Sequence, residues 1–118
     1  MTITEYLDNL DSLNIDDSKV NIIEETYSTS LPENIQRIIS NCNKTQFFSN
    51  YRLLSFDEIV DAEEDLEVEF TELNLIPVFD CGDNDFAVYH IDTKKWSLFN
   101  IIDYTPFKVK ESLKELLT

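Results

Sequence analysis

Three short apolar stretches separated by tight turns restrict the fold of this chain more than any other feature of its sequence. They occupy residues 73–80, 85–92 and 95–102, with turns at 81–84 and 93–94. Turns this short join neighbouring antiparallel strands, because a parallel connection needs about a dozen residues or more. The pattern therefore predicts an antiparallel meander. Pro77 lies in the first stretch and cannot donate to a strand ladder, so we expect a sheet edge or a bulge there.

The middle strand of this predicted meander has apolar side chains on both faces. Phe86 and Val88 alternate with Ala87, Tyr89 and Ile91. Because successive side chains of a strand point to opposite faces, we expect this strand to lie centrally and to be covered on both sides. The same alternation puts Trp96 on the face of Leu98, and we expect the Trp96 ring in the core.

Helical periodicity marks the first half of the chain and its C-terminal end. Apolar residues recur at helical spacing over 3–13, 20–27, 35–42 and 109–117. Capping signals precede three predicted helices: Thr2 with Glu5, Ser30 with Glu33, and Ser55 before Phe56. Asp17 or Ser18 is the expected cap of a further helix, and Cys42 is expected to act as a small buried hydrophobe.

Two other segments carry strand-like patterns. Residues 46–54 resemble one strand. Beyond Ala62 the apolar residues Leu66, Val68 and Phe70 alternate with acidic ones, which suits an edge strand or an extended segment, and the pattern leaves open whether the helix that starts at Phe56 runs on. Together the elements predict one α+β domain over residues 1–118, in which N-terminal helices and a C-terminal helix flank a central antiparallel meander.

The charge of the chain restricts its partners. The 118 residues include 24 Asp and Glu against nine Lys and Arg, a net charge of −15. Phosphate binding needs Lys and Arg, so we expect no nucleic-acid partner and no membrane partner, and attraction to a basic protein instead. The N-terminus lacks a signal-peptide pattern, no apolar run reaches about 20 residues, and the two cysteines form no disulfide framework. We therefore expect a cytoplasmic protein with free thiols.

The sequence offers little catalytic or metal-binding chemistry. His90 is the only histidine, and it lies in a strand pattern with no local link to Cys42 or Cys81. The run Asp80–Asp85 is rich in oxygen ligands but lacks the order of a calcium loop, and its Asp, Asn and Gly residues also suit a hairpin turn. We predict no enzymatic activity, no catalytic residue, no metal and no cofactor.

The most concentrated charge lies in residues 57–72, which contain nine acids and no base. Such a run is either a solvated helix face or a docking surface for a basic partner, and self-repulsion makes the first interpretation costly to the folded state. If it is a docking surface, its predicted contact residues are Asp57, Glu58, Asp61, Glu63, Glu64, Asp65, Glu67 and Glu69. The four acids at 61 and 63–65 are expected nearest its centre.

Several of these segments together resemble the SUKH superfamily over roughly residues 17–117. The resemblance rests on Glu24 or Glu25, then Leu31-Pro32-Glu33 at a helix start, Ser55–Ile59 at another, the stretch LIPVFDCGDNDFAVYHIDTKKWSLFNI over residues 75–101, and the Leu-rich C-terminal end. Where the family commonly has an Asn-Gly-Gly turn, this chain has Asn41-Cys42-Asn43-Lys44. Asn can adopt the left-handed conformation that such a turn needs.

The resemblance implies an α+β fold and a non-enzymatic protein-binding role. Many bacterial members of the superfamily are immunity proteins that bind and neutralise a cognate toxin, often a nuclease. A basic toxin domain would suit the acidic segment of this chain. The alternative implied by the same resemblance is an intracellular or viral regulatory or scaffold protein of the SMI/KNR-like type, which binds a cellular protein.

Overall fold

Six strands pair antiparallel in chain order to form one meander sheet in the computed structural model, which describes residues 1–118. The strands are β1 (Gln46–Phe47), β2 (Arg52–Leu53), β3 (Leu75–Asp80), β4 (Asp85–His90), β5 (Trp96–Asn100) and β6 (Thr105–Lys110). The helices are α1 (Ile3–Asp8), α2 (Asp17–Tyr27), α3 (Glu33–Ser40), α4 (Phe56–Val60), α5 (Ala62–Leu66), α6 (Phe70–Leu73) and α7 (Leu113–Leu117), with a 3-10 turn at Leu10–Ser12. The predicted α+β class, with a central meander flanked by helices, is confirmed.

Helices cover both faces of the sheet. Phe79 pairs with Ala87 and Phe99 pairs with Phe86, so Phe79 and Phe99 lie on opposite faces, because adjacent residues of β4 alternate. Tyr6 of α1 lies 6.4 Å from Phe79, centroid to centroid. Phe70 of α6 lies 6.3 Å from Phe99 on the other face. The predicted central, doubly covered position of β4 is therefore confirmed.

The core is one continuous cluster of 28 buried residues that includes both sheet faces. Trp96 is 2% exposed and its ring lies 5.3 Å from that of Tyr89, its partner across the strands. The prediction that Trp96 lies in the core is confirmed. Cys42 is also fully buried, as its helical spacing predicted.

One of the two predicted capping boxes is present and one is not, and the predicted cap at Ser55 is part of a further box. Thr2 with Glu5 and Ser55 with Glu58 each make both hydrogen bonds of the box. The Ser30 box is wrong, because α3 begins only at Glu33, after Pro32. The buried Leu31 donates its backbone N–H to Glu24, which keeps the chain extended up to Pro32. The cap of α2 is Asp16, one residue before the predicted position.

Residues 46–54 form a hairpin and not the single predicted strand. β1 and β2 have two residues each, and between them the chain turns, with the Phe48 N–H donating to the Tyr51 carbonyl over 2.7 Å. Ser49 and Asn50 are turn-forming residues. They separate the apolar residues on the two sides of the hairpin, which the sequence alone presents as one continuous run.

Of the two alternatives for the residues after Ala62, the extended segment is wrong, because the helices α5 and α6 occupy this region. Val68 and Phe70 are both buried, but they point inward from a loop and from the start of α6. A left-handed residue, Glu67 (φ 55°), ends α5. Two short helices joined at such a corner bury alternate residues and so imitate the period of a strand.

The C-terminal helix is shorter than predicted, because β6 takes its first part. Val109 lies in β6 and is 52% exposed, and the helix begins only after Ser112, whose side chain accepts from the Glu115 N–H. A β6 bulge at Lys108 (φ 53°) shifts the register against β5. The predicted irregularity near Pro77 is confirmed by a register shift between Pro77 and Phe79. None of the seven helices combines the length and apolarity needed to cross a bilayer.

Candidate partner-binding surface

The predicted docking segment folds into the three short helices α4, α5 and α6, which follow one another between β2 and β3. Their inward side chains are apolar: Ile59, Ala62, Val68 and Phe70 are all buried. Since these inward positions are apolar, the acidic residues between them face outward or lie at the edge of the packed layer.

Six of the eight predicted contact residues are exposed and make no side-chain hydrogen bond and no ion pair within the chain. One of them, Glu69, lies beside the carboxyl of Glu72, and the other five lie on α4, on α5 and at the ends of these helices. These five are Asp57, Asp61, Glu64, Asp65 and Glu67, here called the acidic face. None of the five forms an ion pair with a lysine or arginine, so the side chains of the acidic face all carry the same sign of charge.

Glu58 makes contacts within the fold, whereas the sequence predicted it as a residue that contacts a partner. Its Oε1 accepts from the Ser55 N–H at 3.0 Å and from Arg52 Nη1 at 2.9 Å. The Arg52 guanidinium, followed by the Ser55 contacts, holds the pKa of Glu58 below its usual value against the opposing effect of burial. Glu58 therefore anchors the start of α4 to β2.

Glu63 is engaged within the segment, and Glu69 has a second acid as its neighbour. Glu63 accepts from both the N–H and the hydroxyl of Thr71, at 2.9 and 2.8 Å, which ties α5 to α6. Glu69 lies beside Glu72, and the proximity of this second carboxyl raises the pKa of Glu69. Of the four acids predicted at the centre, Asp61, Glu64 and Asp65 are free and Glu63 is not.

Arg52 is the central cation of this region, and sequence reasoning missed it. Besides Glu58, its guanidinium lies 3.5 Å from an Asp80 oxygen, and these contacts raise the pKa of Arg52. A signal was present in the sequence, because Arg52 is the only Lys or Arg between residues 45 and 93. A lone base beside an acidic run is a natural ion-pair partner.

A cavity of about 120 Å³ adjoins this ion-pair network and the acidic face. Its walls combine apolar with charged side chains: Arg52, Leu54, Glu58, Ala62, Asp65, Leu66, Asp80 and Phe86. A second, more open groove of about 290 Å³ lies on the other side of Arg52 and Asp80, along the β1–β2 hairpin.

The other groups considered from the sequence have structural contacts. His90 Nε2 lies 2.7 Å from the hydroxyl of Ser97, which is fully buried. Burial raises the pKa of the Cys42 and Cys81 thiols to about 12, so both are protonated near neutral pH. Asp80 accepts from the Gly82 N–H in the turn. No group of three or more His, Cys, Asp or Glu side chains is arranged to hold a metal ion.

The fold and this surface define an α+β protein in which short acidic helices cover part of one face of a six-stranded meander. Comparison of the chain with protein-family models, with curated proteins and with solved structures returned no match.

Proposed function

We propose that this chain is a protein-binding module of the immunity type, which binds a basic toxin domain and neutralises it. The observation that carries the proposal is the acidic face: five exposed carboxylates within residues 57–67 have no partner in the chain. A nuclease is the kind of toxin favoured here, because it needs a basic surface to bind its phosphate substrate.

Electrostatics supports a role for these residues in binding a partner protein rather than in stabilising the fold. Like charges concentrated in one segment oppose the compact state, and none of these five is offset by an ion pair. The same arrangement raises the rate at which a basic protein arrives in the correct orientation. A carboxylate patch can also occupy the surface that a nuclease uses for phosphate, which would block its substrate.

The resemblance to the SUKH superfamily supports the same proposal. The segments that carry it include Ser55–Ile59, which starts α4, and residues 75–101, which include β3, β4 and β5. The proposed surface thus lies within the part of the chain to which the resemblance applies.

The proposal is tested with tagged wild-type chain used as bait in an extract of the source cells, beside the double variant Glu64→Lys, Asp65→Lys. A matched control, Asp11→Lys with Glu25→Lys, changes the net charge equally at exposed positions outside the acidic face. We expect a basic protein to bind the wild type and the control and to be depleted with the acidic-face variant.

Neutralisation is then measured by expressing the captured protein alone and together with the chain. We expect toxicity when it is expressed alone, and restored growth on co-expression with the wild type but reduced rescue with the acidic-face variant. A captured partner that is harmless alone would contradict the immunity role and favour the regulatory alternative.

A further inference from the structure

Phe47 is the most exposed large hydrophobic side chain of the chain apart from Met1, with 75% of its surface accessible. It belongs to a strand, β1, so its exposure does not come from a terminus. Its neighbour Phe48 packs inward, with its ring 5.3 Å from Tyr6 and 6.4 Å from Phe79. Phe48 therefore supplies the hairpin's aromatic contact with the core, and Phe47 remains in solvent.

Strand register places Phe47 on the same sheet face as the acidic helices. Phe47 pairs with Arg52, Arg52 with Asp80, Asp80 with Phe86, and Phe86 with Phe99. Residues directly opposite each other in antiparallel strands share a face. Phe99 contacts Phe70 of α6 on that face, so one row of side chains leads from exposed Phe47 to the layer that contains the acidic face.

The cavity beside the acidic face and the groove along the hairpin meet at this row of paired residues. The hairpin groove is lined by residues 47–52 together with Asp80 and Gly82. The cavity beside the acidic face shares Arg52 and Asp80 with it, and reaches Asp65 on its far side. Adjacent strands are about 4.8 Å apart, so Phe47 and Asp80 are separated by roughly 10 Å across two strand spacings.

This combination matches the composition of protein interfaces. Energetically dominant contacts are enriched in aromatic residues and arginine beside a recess, while surrounding charges set the rate and orientation of approach. Arg52 is held by Glu58 and Asp80, and thus is not free to attract an anion. The nearby unpaired charge, that of Asp65, is negative, so the complementary partner is cationic around an apolar centre.

We infer that the β1–β2 hairpin is the apolar anchor of the interface with a basic protein, with Phe47 inserted into that partner and the partner's cations facing Asp65. This inference rests on the proposed function and extends the interface beyond the acidic face. The occupant is thus a basic protein surface that carries an apolar recess next to Lys or Arg.

The probe is a phage-displayed library of disulfide-closed peptides, selected on the wild-type chain and counted for Lys, Arg and apolar content. Selected peptides are then measured against Phe47→Ala and against Val109→Ala, a control at an exposed apolar residue on the opposite edge strand. Melting curves of both variants should coincide with that of the wild type, because neither side chain is in the core.

We expect basic-apolar peptides to be enriched, to bind Phe47→Ala at least tenfold more weakly than wild type, and to bind Val109→Ala normally. Basic peptides that respond to Glu64→Lys with Asp65→Lys but not to Phe47→Ala would overturn the anchor and leave the proposed function standing. Peptides that need Phe47 but carry no excess of Lys or Arg would overturn both the basic occupant and the proposed function. Failure to enrich any peptide would also overturn the inference.

Discussion

The strands β3–β5 and the helices α4–α6 meet in one core but use their side chains in opposite ways. Along β3, five consecutive residues from Leu75 to Phe79 are buried. In α5, by contrast, Ala62 is buried while Glu63, Glu64 and Asp65 are exposed. The strands thus use nearly all their side chains for packing, whereas the helices keep a surplus of charge that the fold does not use.

Only a minority of the acids in the helical segment hold it in place. Glu58 caps α4 and pairs with Arg52, and Glu63 joins α5 to α6 through Thr71. The five carboxylates of the acidic face contribute no contact of this kind. One segment therefore contains both structural acids and free acids, and substitutions distinguish the two.

The largest expected effect belongs to the strands. Trp96→Ala should lower the free energy of unfolding by about 3–5 kcal/mol, because it removes a large side chain from a filled core. Urea unfolding measures the loss, and Val109→Ala, at a half-exposed position of β6, serves as the control. A loss below about 1 kcal/mol would contradict the claim that the strand side chains, Trp96 among them, pack in a filled core.

Arg52→Met should have the next largest effect, a loss of about 1 kcal/mol at pH 7, because it leaves Glu58 and Asp80 without their cation. The depressed pKa of Glu58 gives stability above its unfolded pKa of about 4.3 that is lost as pH falls through the folded value. The difference between variant and wild type should therefore shrink in acid. Lys44→Met, which removes an exposed lysine, is the control; equal losses in the two variants would contradict the role of Arg52.

Two adjacent glutamates of α5 differ in their contacts. Glu63→Ala should lower the free energy of unfolding by about 0.5–1 kcal/mol, because Thr71 loses its acceptor. Glu64→Ala should change it by no more than about 0.5 kcal/mol, or raise it, because that carboxylate has no partner. Parallel urea titrations measure both. If Glu64→Ala proves the more destabilising, the division into structural and free acids fails.

The smallest effect concerns His90 at the end of β4. Burial lowers its pKa below the ordinary 6.5, with Asp92 acting in the opposite direction. The unfolded chain then binds the proton more readily, so stability is full above about pH 6.5 and falls as pH drops towards the folded pKa. The single imidazole can be followed by proton NMR. A midpoint at or above 6.5 would contradict the burial of this ring beside Ser97.

The elements best predicted from the sequence were those whose apolar pattern is bounded by a clear turn or capping signal. The meander of β3–β5 was predictable because tight turns separate its apolar runs, and the capping residue Ser55 located the start of α4. Strand β6 was not predicted because it is an exposed edge strand with a bulge at Lys108. Few of its side chains are buried, so its sequence shows little hydrophobic periodicity.

The candidate site was predictable as a segment but not residue by residue. Charge density alone identified residues 57–72, yet it gave no means of separating Glu58 and Glu63 from the free acids, because their partners Arg52 and Thr71 approach through the fold. Phe47 was missed for a related reason. Only the strand register shows that this aromatic shares a face with α4–α6.

The most direct test of an associative role for the acidic face is the association rate with the captured basic partner across a series of salt concentrations. Stopped-flow traces should show that Glu64→Lys with Asp65→Lys slows association at low salt and flattens its salt dependence, since exposed charges steer encounter. Asp11→Lys with Glu25→Lys carries the same net charge and should stay close to the wild type. Equal slowing by the two double variants would show that net charge alone matters, and would contradict a localised acidic docking face.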